Sequence, residues 1–180
     1  GIPIFMTSGS GYFDAVEVQN LIQFLQAIEN PRLDIPLFGV CTSIFGGFTE
    51  NELAQVKIHY RNAVKERSIS VKKSDQCLYE MLLMYKEDMQ VELTQNGGNP
   101  ASILAKIENL MENLQKYRKK TEYMTVAELL YEILRDFHYR EYIGVLPDGE
   151  KRLANVSLLL ERAASFGAGS YPGLFAFTSY

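Results

Sequence analysis

The chain has 180 residues, of which 47% are apolar and 22% charged, with a formal net charge of −4. That length supports one compact core, because a domain of this size buries about 70% of its unfolded-chain surface. The balance excludes a disordered chain, a collagen-like chain and a strongly basic DNA-coating protein, and no apolar run is long enough to span a membrane.

Ile2-Pro3-Ile4-Phe5-Met6, short, apolar and followed by Thr7-Ser8-Gly9-Ser10-Gly11, predicts a strand. From Asp14 the apolar residues fall at Val18, Leu21, Ile22, Leu25 and Ile28, a helical spacing ended by Asn30-Pro31. Asp34 to Phe45 is nearly uncharged and predicts a short buried helix, broken by Gly46-Gly47. Thr49-x-x-Glu52 is a capping box, in which the hydroxyl accepts an orphan amide and the carboxylate reaches back to the cap. The helix it opens carries Leu53, Val56, Tyr60 and Val64 on one face. Ser74 is expected to begin the next, with Cys77, Leu78, Met81, Leu82, Tyr85 and Met89 on its apolar side.

Gln95-Asn96-Gly97-Gly98-Asn99-Pro100 predicts a loop, with Pro100 suited to a first helical position. The helix beyond runs through Ile103, Ile107, Leu110, Leu114 and Tyr117. Thr125-x-x-Glu128 is a second capping box, ahead of Leu129, Leu130, Ile133, Leu134 and Phe137. Pro147-Asp148-Gly149 is a turn before a last long helix with Leu153, Val156, Leu160 and Ala163. The expected fold is mainly α: a helical bundle of roughly six or seven helices with one short N-terminal strand. A lone strand needs partners elsewhere. Gly1 is no natural initiator, and the chain stops within an apolar pattern, so it is expected to be a piece of a longer protein.

Little in the sequence reads as catalysis. Gly9-Ser10-Gly11 has the start of a phosphate-binding turn, but Asp14 stands where the third glycine would fall, and an acid there repels a pyrophosphate. There is no GxxxxGK[ST], so the chain itself is expected neither to bind nor to hydrolyse ATP. His59 and His138 have no partners at metal-ligand spacing. Cys41 and Cys77 lack a CxxC and fit buried thiols in a reduced, cytoplasmic compartment, and no signal peptide is visible. Two stretches are locally basic. One holds Lys57, Arg61, Lys65, Arg67, Lys72 and Lys73 against the single acid Glu66; the other holds Lys116, Arg118, Lys119 and Lys120. Both can hold phosphates by charge, and both can equally be solvated helix ends.

Three separated motifs carry a resemblance. They are Ser8-Gly9-Ser10-Gly11-Tyr12-Phe13-Asp14-Ala15-Val16-Glu17-Val18 with Asn30-Pro31 and Asp34-Ile35-Pro36-Leu37; Ser43-Ile44-Phe45-Gly46-Gly47-Phe48-Thr49-Glu50-Asn51-Glu52-Leu53; and Tyr142-Ile143-Gly144-Val145-Leu146-Pro147-Asp148-Gly149-Glu150-Lys151-Arg152-Leu153-Ala154-Asn155, continuing to Arg162-Ala163 and Gly173-Leu174-Phe175. In this order they resemble UvrD-like superfamily 1 DNA helicases, and among them the A subunits of AddAB-type helicase–nucleases. The resemblance implies a parent that unwinds duplex DNA with ATP and magnesium, alongside a B-type partner subunit, in recombination repair of broken ends.

It also implies that residues 1–30 form the edge of a 2A motor domain and 31–180 a helical 2B-like insertion. No catalytic residue and no cofactor is then expected within the chain. Related helicases touch the duplex backbone with a Gly-Ile-Gly turn, which matches Gly47-Phe48-Thr49 here, with Thr49 in place of the second glycine. Amides before Thr49 are expected to point outward at the helix start, and Lys57 and Arg61 to add phosphate contacts. The rival expectation is a docking module that packs on a partner protein without touching DNA.

Overall fold

A computed structural model describes residues 14–70, 76–96, 102–167 and 174–178. The expected strand at Ile2–Met6, the Gly9–Gly11 turn, Ser74 and Pro100 lie outside these residues. Among the described residues the fold is all helix: α1 (Val16–Glu29), α2 (Asp34–Thr42), α3 (Glu50–Glu66), α4 (Leu78–Asn96), α5 (Ser102–Lys120), α6 (Val126–Asp136), α7 (Tyr139–Gly144), α8 (Gly149–Gly167) and α9 (Leu174–Thr178). Seven are the helices that the sequence predicts, six from periodicity and α2 from its uncharged stretch. The other two, α7 and α9, are a turn or so long, too short to show a period. Cys77 is buried, but it lies in the bend before α4 rather than on the helix.

The chain divides into two compact units, one formed by Gly1–Leu25 with Lys120–Tyr180 and the other by Gln26–Lys119. In the first, α6 packs on α8 and α7 rests on both. Leu129, Leu130, Ile133 and Leu134 of α6 meet a core that includes Leu21, Phe24, Tyr139, Val156, Leu159 and Leu160, all buried. Each large apolar side chain so buried contributes about 1.5–3 kcal/mol. Phe24 and Phe137 meet edge to face, with ring centroids 5.6 Å apart. One polar cluster sits inside this unit. Glu17 is buried, accepting from Arg152 Nη1 at 2.7 Å and from Asn155 Nδ2 at 2.7 Å. The Tyr139 hydroxyl donates to the Glu17 carbonyl at 2.9 Å, which fixes α7 on α1.

The second unit contains α2, α3 and α4 and most of α5. α4 packs against both α3 and α2. Leu53, Val56, Tyr60 and Ala63 bury one side of α3, and Ile103, Leu104, Ile107, Leu110, Leu114 and Tyr117 bury one side of α5. The capping box at Thr49 is formed as its sequence predicts. Thr49 Oγ1 accepts the Glu52 amide at 3.2 Å, and the Thr49 amide donates to Glu52 Oε2 at 2.7 Å. Thr125 and Glu128 do the same for α6.

Candidate nucleic-acid interface

The expected contact begins at Gly47-Phe48-Thr49, the link between α2 and α3. Gly47 has φ +66°, a left-handed backbone that costs a glycine nothing, and the space around its α-carbon is open. Phe48 is buried, and the ammonium of Lys106 lies 5.8 Å from its ring centroid. The amides do not point outward as expected. Gly46 and Gly47 donate to the Ser43 carbonyl at 3.3 and 2.8 Å, Phe48 donates to the Cys41 carbonyl at 2.8 Å, and Thr49 donates to Glu52. A chain leaving one helix and entering another has orphan polar groups at both ends, and here the turn satisfies them internally. The Thr49 hydroxyl also lies 3.1 Å from Glu52 Oε2, so the cap places a carboxylate where a phosphate would sit.

Lys106 balances that carboxylate at 2.7 Å. Its hydrogen bond is the main reason the Glu52 carboxyl is held below its ordinary range, with the Thr49 amide second. The start of α3 is therefore a closed electrostatic unit, and Glu50 adds a further acid to the first turn.

Lys57 and Arg61 behave differently. Both are exposed, Lys65 continues the row, and none of the three makes an ion pair among the described residues. A spacing of four residues keeps them on one side of α3, about 6 Å apart along the axis and about 12 Å from first to last. Their neighbour Arg67 is instead committed to Asp88 Oδ1 at 2.8 Å, while His59 Nε2 lies 2.7 Å from Asp88 Oδ2. Burial pushes the Asp88 carboxyl upward, but the hydrogen bonds from His59 and Arg67, with their charges, outweigh it and hold it below its usual value. Thus His59, with no partner visible in the sequence, finds one on α4. In the second basic stretch Arg118 donates to the Ile28 and Glu29 carbonyls at 2.8 and 3.2 Å, and Lys120 pairs with Glu132.

Both cysteines are withdrawn from solvent. Cys41 is fully buried, and burial pushes its thiol up to about 12, far from a thiolate at neutral pH. His138 is exposed at φ 48°, ending α6 and opening α7. Among the described residues no group of three or more His, Cys, Asp or Glu is placed to share a metal ion, and no helix is long and apolar enough to cross a membrane.

A second feature adjoins the cation row. The sequence predicts a buried α2; only Leu37, Val40 and Cys41 are buried, and Ile35 and Phe38 are 80% and 48% exposed. A helix apolar all round has more apolar faces than neighbours. The exposed side borders a cavity of about 500 Å³ between α2, α3 and α4, lined by Asp34, Ile35, Phe38, Glu50, Leu53, Ala54, Lys57, Leu78 and Met81. The Asp34 carboxylate holds one edge by accepting the Leu78 amide at 2.8 Å. The sequence signal for this groove is the lack of any charge between Ile35 and Phe45, which admits an exposed apolar side as readily as full burial.

Over all 180 residues the chain is similar to the A subunit of the ATP-dependent helicase/nuclease of Acetivibrio thermocellus, at 36% identity; the match covers the whole chain and 12% of that protein. The corresponding A subunits from a Thermoanaerobacter species and from Bacillus velezensis are each 34% identical over 180 residues, again across the whole chain and 13% of theirs. The chain thus spans about an eighth of the length of these relatives. No protein-family model matches the chain.

Proposed function

We propose that the chain is a segment of an ATP-dependent helicase/nuclease A subunit of the UvrD-like type, to which it is similar over its whole length, and that it is a non-catalytic helical domain that orients duplex DNA for the motor. Residues 1–30 would form the edge of the 2A domain and 31–180 the 2B-like insertion. The parent protein would use ATP and magnesium bound outside this chain, beside a B-type partner, in cytoplasmic double-strand break repair and recombination. The observation that carries the DNA reading is the row Lys57, Arg61 and Lys65, exposed and without ion-pair partners among the described residues. Such a row holds phosphates by charge and carries no sequence preference. Gly47, Phe48 and Thr49 would lie near the backbone but would shape the surface rather than donate amides to it.

The test is the salt dependence of duplex binding by the full-length protein, with and without Lys57→Ala/Arg61→Ala/Lys65→Ala. Each phosphate neutralised on B-DNA adds about 0.9 to the slope of log K against log salt, so removing three contacts should flatten it by up to about 2.7. An unchanged slope overturns the reading. The groove along α2 favours a second reading, in which the domain docks a partner protein, since an apolar surface of this kind marks interaction sites.

A further inference from the structure

The groove and the cation row are one surface. Glu50, Leu53, Ala54 and Lys57 line the groove from α3. At about 100° per residue Arg61 falls on that same side and Lys65 close to it. A segment lying along α3 would therefore meet an anionic end at Asp34 and Glu50, then apolar walls from Ile35, Phe38, Leu53 and Met81. Beyond about 10 Å it would meet Lys57, and then two more cations. The cavity of about 500 Å³ is of the size that accepts a few apolar side chains.

We infer that this groove seats an amphipathic helix from a separate protein chain, apolar along one side and acidic at the end that lies over Lys57, Arg61 and Lys65. The inference rests on the docking reading and names its partner's chemistry. Helix-in-groove recognition uses apolar anchors at i, i+3, i+4 and i+7, and Ile35, Phe38, Leu53 and Met81 offer such anchors an apolar lining. The charge pattern decides the polarity. Three cations without ion-pair partners among the described residues favour carboxylates, whereas a basic end would meet like charge on every turn. Because Lys57 is groove wall and, on the duplex-orienting reading, phosphate contact, the acidic helix and duplex DNA exclude one another. Docking then switches the DNA-orienting surface off.

The probe is a fluorescein-labelled amphipathic peptide of about 16 residues, or roughly four turns. Leucines occupy the groove side, and glutamates follow on the same side. It is titrated into the full-length protein, next to a version with lysines for the glutamates. The acidic peptide should bind at least about tenfold tighter than the basic one at low salt, a clear margin in affinity terms. Phe38→Glu or Ile35→Glu, both at exposed positions, should abolish binding while leaving the helical circular dichroism unchanged. Lys57→Glu/Arg61→Glu should reverse the preference, and bound acidic peptide should displace labelled duplex. No binding, or equal binding of the two peptides that still needs Phe38, overturns the acidic-partner inference; in the second case docking itself stands. Binding indifferent to Phe38 and Ile35 overturns docking as well. Strong protection of Phe38 and Met81 from hydroxyl-radical oxidation in the isolated full-length protein would show the groove covered from within, and overturns a separate partner.

Discussion

Arg152 holds the one buried carboxylate among the described residues of the first unit, and its loss should be felt through that charge. Its guanidinium supplies Glu17 with one of two side-chain hydrogen bonds, at 2.7 Å, and also donates from Nε to the Pro147 carbonyl at 2.9 Å. Glu17 is 4% exposed and Arg152 28%. Arg152→Ala leaves a buried carboxylate with Asn155 to donate to it. Removing one partner of a buried ion pair costs about 3–5 kcal/mol. Water can enter the space that the partly exposed arginine vacates, which places the expected loss at the lower end, about 3 kcal/mol. For a chain of this length that corresponds to roughly 6–12 °C in Tm. The chain contains no tryptophan, so far-UV circular dichroism during urea and thermal unfolding at neutral pH is the suitable readout. Arg152→Met/Glu17→Gln should recover a substantial part of the loss, because it removes both charges and keeps a polar group for Asn155. A single substitution costing under about 1 kcal/mol would show that the pair is an ordinary surface bridge. A double variant no more stable than the single one would refute the reasoning from uncompensated charge.

Three further outcomes follow from local geometry. Gly46→Ala should destabilise the second unit by more than about 2 kcal/mol, since its Cβ would lie 2.6 Å from Cys41 Cα and 2.8 Å from the Val40 carbonyl oxygen. Gly47→Ala meets nothing and should cost only the left-handed backbone, about 1–2 kcal/mol; equal losses in chemical denaturation would contradict the difference. Asp88 titrates below its unfolded value, so the stability it contributes is present above the unfolded pKa and lost as pH falls through the folded one. Acid titration followed by circular dichroism should therefore show Arg67→Ala unfolding at a higher pH than wild type, and coincident curves would contradict it. Thr125→Ala should cost about 1 kcal/mol through the lost cap of α6, and amide exchange in that first turn should quicken.

What the sequence reveals is decided by distance along the chain. Both capping boxes are readable because their partners lie three residues apart, and the buried face of α5 because one helical period generates it. The His59–Asp88 contact joins residues 29 apart and depends on how α3 meets α4. No local rule anticipates it. α7 is six residues long and owes its position to Tyr139, buried and bonded to a carbonyl far away in sequence. The outward amides before Thr49 are an expectation from the helix start, where loop amides meet the positive end of α3, and from a family turn. The bonds that claim them run back to Cys41 and Ser43, and those depend on the path of the chain between two helices. Lys57 and Arg61 are readable as exposed cations, but the groove beside them is not, because composition alone cannot tell which side of an uncharged helix finds a neighbour.

Arg118 illustrates how a charge-reversal scan can mislead. It stands in a run of four basic residues among five, the kind of cluster such a scan targets first. Its guanidinium is spent on the last carbonyls of α1, the groups that a helix C-terminus leaves unsatisfied. Arg118→Glu would weaken any ligand-binding assay by fraying that helix end and placing a negative charge at a negative pole. The result would look like a lost binding contact although the side chain need never meet a ligand. Arg118→Gln, which keeps a hydrogen-bond donor for the carbonyls without the charge, is the control that separates the two meanings.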